Sequence, residues 1–368
     1  MTPTKEQILD ALRHVRYPGK EQDIVALGMV SREIRIEGNS VSLALHFPRP
    51  KDPFAKSLIR AAETALLTYV HPDLDVKGHI QALFPEPQPK ATELLPGVKN
   101  VIAVFSGKGG VGKSTITANL AVALAQTGYS VGLLDADVYG PSMPKMFGCE
   151  GYTPQAVEAE GAQKILPAQV YGGIKLLSVG FFVPADKALL WRGTLASNAL
   201  TQLLRDGDWG QLDFLLLDMP PGTGDIHLTL VQNLAVTGAI VVTTPQQVAL
   251  ADAVKGINLF QTPEVNVPVL GLVENMSWFT PAELPDNRYY LFGKGGGVDL
   301  ADRLGVPLLA QVPLVQSVCE SGDEGNPIAT RTEHILNGVF ADLATRVVQA
   351  VERRNEQLPA SHKVQTEH

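Results

Sequence analysis

Residues 107–114 read Gly-Lys-Gly-Gly-Val-Gly-Lys-Ser and match the phosphate-binding pattern G-x-x-x-x-G-K-[ST], with an additional lysine after the first glycine. Glycines allow consecutive backbone N–H groups to turn inward around phosphate oxygens. In this pattern Lys113 reaches the β- and γ-phosphates and Ser114 holds Mg²⁺. The sequence therefore predicts a nucleotide site formed by Gly107, Lys108, Gly109, Gly110, Val111, Gly112, Lys113, Ser114 and Thr115.

The residues on either side of this loop supply the strand and the helix that it requires. Residues 100–105, Asn-Val-Ile-Ala-Val-Phe, are an apolar and β-branched run that is typical of a buried strand. Residues 114–126 place apolar side chains at helical spacing and end before Gly128. This order puts bound phosphates at a helix N-terminus, where the helix dipole favours anions. A glycine-rich turn alone would not explain all of these positions together.

Composition narrows the class of protein. The chain has 368 residues, 45% of them hydrophobic, a net charge of −8 and two cysteines. The length predicts two or three domains, and the acidic balance argues against broad binding to nucleic acid or to anionic membranes. The N-terminus is polar, no apolar run approaches the roughly 20 residues that span a bilayer, and the eight histidines lack metal-ligand spacing. We expect a soluble cytoplasmic protein without a disulfide framework.

The chain is predicted to have four consecutive parts. A small α+β domain covers residues 1–84, a linker 85–97, an α/β domain 98–353 and a disordered tail 354–368. Three prolines within the seven residues 84–90 identify the linker, because proline fits neither a helix interior nor a central strand.

The small domain alternates helical and strand patterns. Residues 4–7 fit a capping box at the start of a helix. A hairpin is predicted around Gly38, between strands over 28–36 and 41–47. A second helix opens at Asp52 or Pro53 and continues to about residue 69, and residues 75–83 supply a last strand.

In the larger domain, apolar runs alternate with helical patterns. This alternation predicts a mostly parallel sheet with helices on both faces. The predicted strands cover residues 101–105, 131–134, 174–179, 214–217, 239–243, 269–274 and 308–312.

Three carboxylates follow predicted strands of this sheet, and the carboxyl ends of parallel strands are where such sheets bind ligands. Asp137 is a candidate for positioning or activating the attacking water, and Asp135 for supporting Mg²⁺. A helix cap or a turn is the alternative for both. Asp218 follows four apolar residues, the pattern of a strand-end carboxylate that holds Mg²⁺ through water.

Two further stretches complete the predicted site. Residues 219–225, Met-Pro-Pro-Gly-Thr-Gly-Asp, form a candidate switch loop whose glycines allow it to move with nucleotide state. Asn275 ends another apolar strand, and its amide presents a donor and an acceptor side by side, which suits an adenine edge.

Together GKGGVGKS, LLDADVYGPS, LLLDMPPGTGD and VENMSWF resemble the Mrp/ApbC-type iron–sulfur cluster carrier ATPases, in the MinD-like branch of deviant-Walker P-loop proteins. The resemblance spans about residues 98–350, and residues 27–47 are similar to the SufT-like iron–sulfur assembly domain. It implies a homodimer that hydrolyses ATP with Mg²⁺ and delivers clusters to apoproteins alongside assembly factors. It also implies that Lys108 crosses to the partner's ATP. The predicted catalytic residues are then Lys108, Lys113 and Asp137.

One part of the family pattern is missing. The family carries a Cys-x-x-Cys pair after the Met-Ser-aromatic stretch, and residues 277–292 contain no cysteine. Asp52 precedes Pro53 where a cysteine is expected. Cys319 matches a family position, and in sequence it lies in a predicted accessible loop. It is the better candidate for an iron–sulfur ligand, while Cys149 is typical of packing.

These departures leave two alternatives open. The chain could be a nucleotide-gated scaffold that binds no cluster of its own. It could instead be a MinD- or ParA-like positioning ATPase, which needs a basic patch or a basic amphipathic C-terminal helix. The segment from Arg353 lacks an apolar face and contains Pro359, which disfavours the second alternative.

Overall fold

A computed structural model describes residues 3–18, 20, 22–31, 34–47, 54–83, 94–159, 162–182, 193–281, 283–284, 286–359 and 361. The chain divides into two compact units, Met1–Glu93 and Leu94–His368. Asp52, Pro53, Phe84 and residues 85–93 of the predicted linker lie outside the described residues. Within the described ranges, no helix combines the length and the apolar character that crossing a membrane requires.

The first unit contains a three-stranded sheet and two helices among its described residues. In chain order these elements are α1 (Lys5–Leu12), β1 (Arg35–Glu37), β2 (Ser40–His46), α2 (Ala55–Tyr69) and β3 (Ile80–Leu83). β1 and β2 form the predicted hairpin, and β3 joins β2 in parallel. β1 is shorter than the strand predicted over 28–36. Alternate residues of β2, Val41, Leu43 and Leu45, are buried in the core of this unit.

The second unit is built on a large sheet. Its strands are β4 (Val98–Ser106), β5 (Val131–Asp135), β6 (Ala156–Ala159), β7 (Ala162–Ile165), β8 (Ala168–Val170), β9 (Ile174–Ser178), β10 (Leu212–Pro221), β11 (Gly238–Thr243), β12 (Val269–Phe279) and β13 (Leu308–Leu314). Eight of them pair in the order β13-β12-β11-β4-β10-β5-β9-β8, with every pair parallel except β8 with β9. β6 and β7 form a separate hairpin. The predicted mostly parallel sheet is confirmed.

Helices cover both faces of this sheet because β4 buries alternate residues on opposite sides. The helices are α3 (Lys113–Gln126), α4 (Met143–Met146), α5 (Gly193–Asp206), α6 (Asp225–Asn233), α7 (Gln247–Gln261), α8 (Gly296–Leu304), α9 (Gln316–Asp323) and α10 (Ile335–Gln357). Ile102 and Val104 pack with α3 and α10, and Ala103 and Phe105 pack with α5 to α8.

The end of α10 corrects one prediction. Residues 354–357 were predicted to belong to a disordered tail, but α10 continues through them to Gln357. The helix is held because Phe340, Val347 and Val351 are buried in the core shared with α3. Its apolar face is therefore used within the unit.

The strand order determines where the predicted site residues meet. β10 lies between β4 and β5, and Asp218 pairs in register with Val104 on one side and with Asp135 on the other. The phosphate-binding loop, which follows β4, thus lies at the same sheet edge as both carboxylates. This edge is the carboxyl end of the parallel strands.

Candidate nucleotide site

The loop between β4 and α3 has the conformation that its glycines predict. Gly110 and Gly112 have φ angles of 81° and 82°, in the left-handed region that side chains with a Cβ disfavour. A Cβ on Gly112 would also overlap the Asn275 amide, and one on Gly107 would overlap the Asp252 carbonyl. α3 begins at Lys113 without a side-chain cap, so its first N–H groups are available to an anion.

Lys113 is the centre of a buried charge cluster. Its side chain is 5% exposed, and its Nζ lies 2.8 Å from Oδ2 of Asp218 and 3.9 Å from Oδ2 of Asp137. Nζ also donates to the Ser114 hydroxyl at 3.1 Å. A buried ammonium is tolerated only when such partners replace water. The structure therefore brings together four residues that the sequence predicted for one site.

Asp218 is fully buried and is held by several donors. Its Oδ2 accepts a hydrogen bond from the Ser114 hydroxyl at 2.6 Å, and its Oδ1 accepts one from the Thr117 hydroxyl at 2.8 Å. Thr117 was not identified from the sequence. Its spacing of four residues from Lys113, which puts both on one helix face, was the available signal.

Asp135 is also fully buried, but its oxygens face local donors. The Ser178 hydroxyl donates to Oδ2 at 2.9 Å, the backbone N–H of Met143 donates to Oδ2 at 3.1 Å, and that of Asp137 donates to Oδ1 at 3.3 Å. Burial, together with the nearby charge of Asp218, raises the pKa of Asp135 to about 7. Asp135 fixes the turn after β5, and its role at Mg²⁺ stays a prediction.

Asp137 faces the cluster from that turn. The backbone N–H groups of Tyr139 and Gly140 donate to its Oδ1, both at 3.3 Å, so the Oδ2 that faces Lys113 is the freer oxygen. Burial raises the pKa of Asp137 while the charge of Lys113 lowers it. The arrangement combines the turn role, which the sequence left as an alternative, with an oxygen directed at the site.

Lys108 differs from Lys113 in its surroundings. It is exposed, and among the described residues it forms no ion pair. Its charge is thus available to a group outside this chain.

A cavity of about 360 Å³ adjoins the phosphate loop. It lies between the first turn of α3, the end of β12, β13 and α9. Asn275 lines it and donates from Nδ2 to the carbonyl of Val111 at 2.9 Å. Regular pairing of β12 with β13 is interrupted after Asn275, where Met276 has a φ of 56°, a backbone conformation that costs energy for a residue with a Cβ. The cavity lining also includes Gly112, Thr115, Asn119, Val312, Val318 and Cys319.

Cys319 lies in α9, which corrects the predicted loop. It is exposed, and its Sγ is 3.8 Å from Oδ2 of Asp323. Cys149 is half-buried against the core, and burial raises the pKa of its thiol to about 11. Among the described residues, no group of three or more His, Cys, Asp or Glu is placed to hold a metal ion.

Comparison with known proteins gives matches along most of the chain. A family model described as NUBPL iron-transfer P-loop NTPase matches residues 97–348, and one described as iron-sulfur cluster assembly protein matches residues 5–75. The iron-sulfur cluster carrier protein of Synechocystis sp. is 44% identical over 328 residues, which cover 88% of this chain and 91% of that protein. That of Escherichia coli is 48% identical over 264 residues, 72% of this chain and 70% of that protein.

Solved structures show the same similarity. The nucleotide-binding protein of Archaeoglobus fulgidus, in complex with ADP, is 36% identical with a TM-score of 0.56, covering 64% of this chain and 90% of that chain. MinD of Pyrococcus horikoshii, complexed with Mg-ADP, is 24% identical with a TM-score of 0.50, covering 70% and 99%. At that identity the likeness concerns the fold.

Proposed function

The chain belongs to the NUBPL iron-transfer family of P-loop NTPases, and on that premise we propose that it hydrolyses ATP and carries iron–sulfur clusters to apoproteins as a nucleotide-gated homodimer. The observation that carries the proposal is the contact of Lys113 with Asp218, because it joins the phosphate loop to the carboxylate of β10 in one charge-balanced cluster. The similarity of residues 5–75 to an iron-sulfur cluster assembly protein supports clusters as the cargo.

Phosphates are assigned to the loop 107–112 and the first turn of α3. When a triphosphate enters, the Lys113 ammonium can exchange its carboxylate partner for a phosphate oxygen, so that the buried charge keeps an anionic neighbour throughout. This exchange makes binding of the anion compatible with burial of the lysine.

Ser114 and Asp218 are the residues that would hold Mg²⁺. Their oxygens lie 2.6 Å apart and are the hard ligands that Mg²⁺ prefers, and the ammonium beside them indicates that this place stabilises a cation. Bound Mg²⁺ neutralises charge on the phosphates. Asp135, next to Asp218 in the neighbouring strand, is proposed as a supporting carboxyl.

Hydrolysis is assigned to Asp137 and Lys108. The Asp137 Oδ2 is positioned to orient or deprotonate an attacking water, and its raised pKa moves it toward the range in which a carboxylate works as a base. Lys108, exposed and without an ion pair within the described part of the chain, is proposed to reach the nucleotide of the second subunit. A cation placed against developing phosphate charge accelerates transfer by orders of magnitude.

The cavity beside Asn275 is the proposed site of the adenine base. Its size suits a purine nucleoside, and it opens directly onto Gly112 of the phosphate loop. Among the described residues no hydrogen bond ends on Oδ1 of Asn275, which leaves an acceptor for the amino group of adenine.

Cluster binding is assigned to Cys319. Its thiol is exposed, whereas Cys149 is half-buried with a raised pKa that disfavours the thiolate needed for iron. One thiolate from each subunit gives two ligands, and a small thiol or an apoprotein supplies the rest. We therefore propose weak, easily lost clusters, handled with assembly factors in the cytoplasm.

Two alternatives remain as outcomes of experiment. A scaffold without its own cluster would hydrolyse ATP and bind no iron. A positioning ATPase would bind membranes or DNA, and burial of the apolar face of α10 in the core disfavours the membrane form.

Anaerobic reconstitution with iron and sulfide, followed by iron counting and visible absorption, tests the proposal together with ATP turnover. Wild type should hydrolyse ATP and hold iron, and Cys319→Ala should hydrolyse ATP without iron. Cys149→Ala is the matched control and should keep both. Absence of turnover in wild type would refute the ATPase, and turnover without iron would favour the scaffold.

A further inference from the structure

His227, in the first turn of α6, faces two backbone carbonyls of residues 219–224, which comprise the end of β10 and the turn before α6 and are called the 219–224 loop. His227 is 2% exposed. Its Nε2 lies 2.7 Å from the carbonyl oxygen of Pro220, and its Nδ1 lies 3.3 Å from that of Gly224. Pro220 lies near the end of β10 and Gly224 directly precedes α6, so one side chain contacts both ends of the stretch that contains Gly222.

The contacts assign the tautomer of the ring. The carbonyl of Gly224 already accepts the backbone N–H of His227 at 3.0 Å, and the contact of Nε2 with Pro220 is the shorter one. Burial lowers the pKa of His227, which favours the neutral ring with a single N–H. That proton therefore lies on Nε2 and is donated to Pro220.

The 219–224 loop is also hydrogen-bonded to β4, the strand that precedes the phosphate loop. Gly222 has a φ of 93° and donates its N–H to the carbonyl of Ser106 at 2.9 Å. Ser106 directly precedes the phosphate loop, and Pro221 lies 3.9 Å from the position that a Cβ on Gly109 would take. The 219–224 loop thus lies against the phosphate loop.

The ring of His227 also packs on β4. It meets Phe105 edge-on with centroids 5.3 Å apart, and Phe260 meets the same Phe105 ring at 5.3 Å. His227 consequently contacts both β4 and the 219–224 loop. Phe260 shares the aromatic contact but is not in contact with the loop through any described hydrogen bond or ring pair.

We propose that His227 is a positioning residue for hydrolysis, which fixes the 219–224 loop against the phosphate site by donating from Nε2 to the Pro220 carbonyl. The proposal rests on the ATPase function proposed above. A loop with two glycines has many conformations, and fixing one of them in advance lowers the entropy lost on reaching the transition state. The effect belongs to the catalytic step rather than to nucleotide binding.

Three variants separate this role from a packing role. His227→Leu keeps the bulk and removes the donor, and His227→Gln restores a donor near the position of Nε2. Phe260→Leu is the matched control, because it removes the other aromatic contact of Phe105. For His227→Leu we expect kcat to fall about tenfold, the factor of one hydrogen bond, with KM for ATP unchanged. His227→Gln should recover most of kcat, and Phe260→Leu should keep it even if its thermal midpoint falls as far.

Hydrogen exchange of the Gly222 amide, without nucleotide, gives a readout that does not depend on hydrolysis. It should become faster in His227→Leu and stay unchanged in Phe260→Leu. Unchanged kcat or unchanged exchange in His227→Leu would overturn the proposal, as would a kcat that follows thermal stability across all three variants. Wild type that lacks ATP turnover would refute the proposed function, and the exchange experiment would then test separately whether His227 fixes the 219–224 loop.

Discussion

Lys113 and Ser114 both donate to the same carboxylate oxygen, Oδ2 of Asp218, at 2.8 Å and 2.6 Å. The lysine belongs to the phosphate loop and the carboxylate to β10, so this oxygen is the point at which the two halves of the site meet. A phosphate must therefore compete with Asp218 for Lys113, and a metal ion must compete with both donors for this oxygen.

Replacing Asp218 by asparagine should abolish ATP turnover and destabilise the second unit. The change leaves the buried Lys113 with Asp137 as its remaining carboxylate, and breaking a buried ion pair costs about 3 kcal/mol. ATP turnover and unfolding followed by tryptophan fluorescence test this, because all three tryptophans lie beyond residue 94. Asp206→Asn removes a carboxylate from an exposed pair with Arg205 and should change neither. Normal turnover in Asp218→Asn would rule out the assigned role.

Lys108 and Asp137 should complement each other across a dimer. Lys108→Ala and Asp137→Ala should each be inactive. A mixture contains dimers in which one site has both an intact Asp137 and a Lys108 from the other subunit, so it should regain part of the wild-type ATP turnover. Native mass spectrometry establishes that mixed dimers form. Mixed dimers without turnover would contradict a lysine that acts on the partner's nucleotide.

Nucleotide should protect Cys319 from alkylation. The Cys319 thiol lines the cavity proposed for the base, so bound nucleotide should block its labelling. ADP with Mg²⁺ at ten times its Kd should slow N-ethylmaleimide labelling about tenfold, because only the fraction of protein without nucleotide reacts. Cys149, half-buried with a pKa of about 11, is an internal control that should label slowly in both conditions. Intact mass spectrometry of wild type and Cys149→Ser gives the rates. Equal rates with and without nucleotide would place the base elsewhere.

Asn275 should favour ATP over GTP. Its Oδ1 can accept from the amino group of adenine, whereas guanine presents a carbonyl at that position. In Asn275→Ala the affinity for ATP should fall about tenfold more than that for GTP, the factor of one hydrogen bond. Asn119→Ala is the matched control, because both ends of the Asn119 amide are used within the protein, on Thr115 and Ala329. Titration with fluorescent nucleotides measures both. Equal losses for ATP and GTP in Asn275→Ala would leave Asn275 with only its contact to Val111.

The Asp213 carboxylate should stabilise the folded state by an amount that decreases at acid pH. Lys99 and the hydroxyl and N–H of Ser130 donate to its carboxylate, and they lower its pKa from 3.8 to about 2. A lowered folded-state pKa gives stability that is complete above pH 3.8 and is lost as pH falls through about 2. Because Lys99 is exposed, we expect Asp213→Asn to cost about 1 kcal/mol at pH 7.

Urea unfolding at pH 7 and pH 3, read by tryptophan fluorescence, measures the free energy of unfolding of wild type and of Asp213→Asn. The difference between the two proteins should be smaller at pH 3 than at pH 7. Asp302→Asn, at an exposed position, should show no difference at either pH. A cost for Asp213→Asn that is the same at both pH values would contradict the assigned pKa shift.

The sequence predicted those parts of the fold and the site that depend on local pattern. The phosphate loop is a run of consecutive residues, and the carboxylates at 135, 137 and 218 each follow an apolar strand. Parallel strands then bring these ends to one edge whatever their order. The seven predicted strands of the larger domain are all present for the same reason.

Long-range contacts were not predictable from one sequence. Ser178 and Thr117 are ordinary hydroxyl residues in sequence, and they matter because tertiary structure puts them against Asp135 and Asp218. Cys319 was assigned to a loop because Ser321, Gly322 and Gly325 follow it, but α9 forms there and lines the cavity. The short strands β6 to β8 lack a buried apolar run and were missed.

The central place of β4 in the sheet has a consequence for how the protein is made. Ser114 and Asp218 are 104 residues apart, and β11, the other neighbour of β4, comes later still. Pairing over such separations is slow, because loops must close before contacts form. A chain leaving the ribosome thus carries its phosphate loop long before that loop has a partner. Nucleotide cannot support the early stages of folding, and a ligand-stabilised state becomes available only after β10 and β11 have been synthesised.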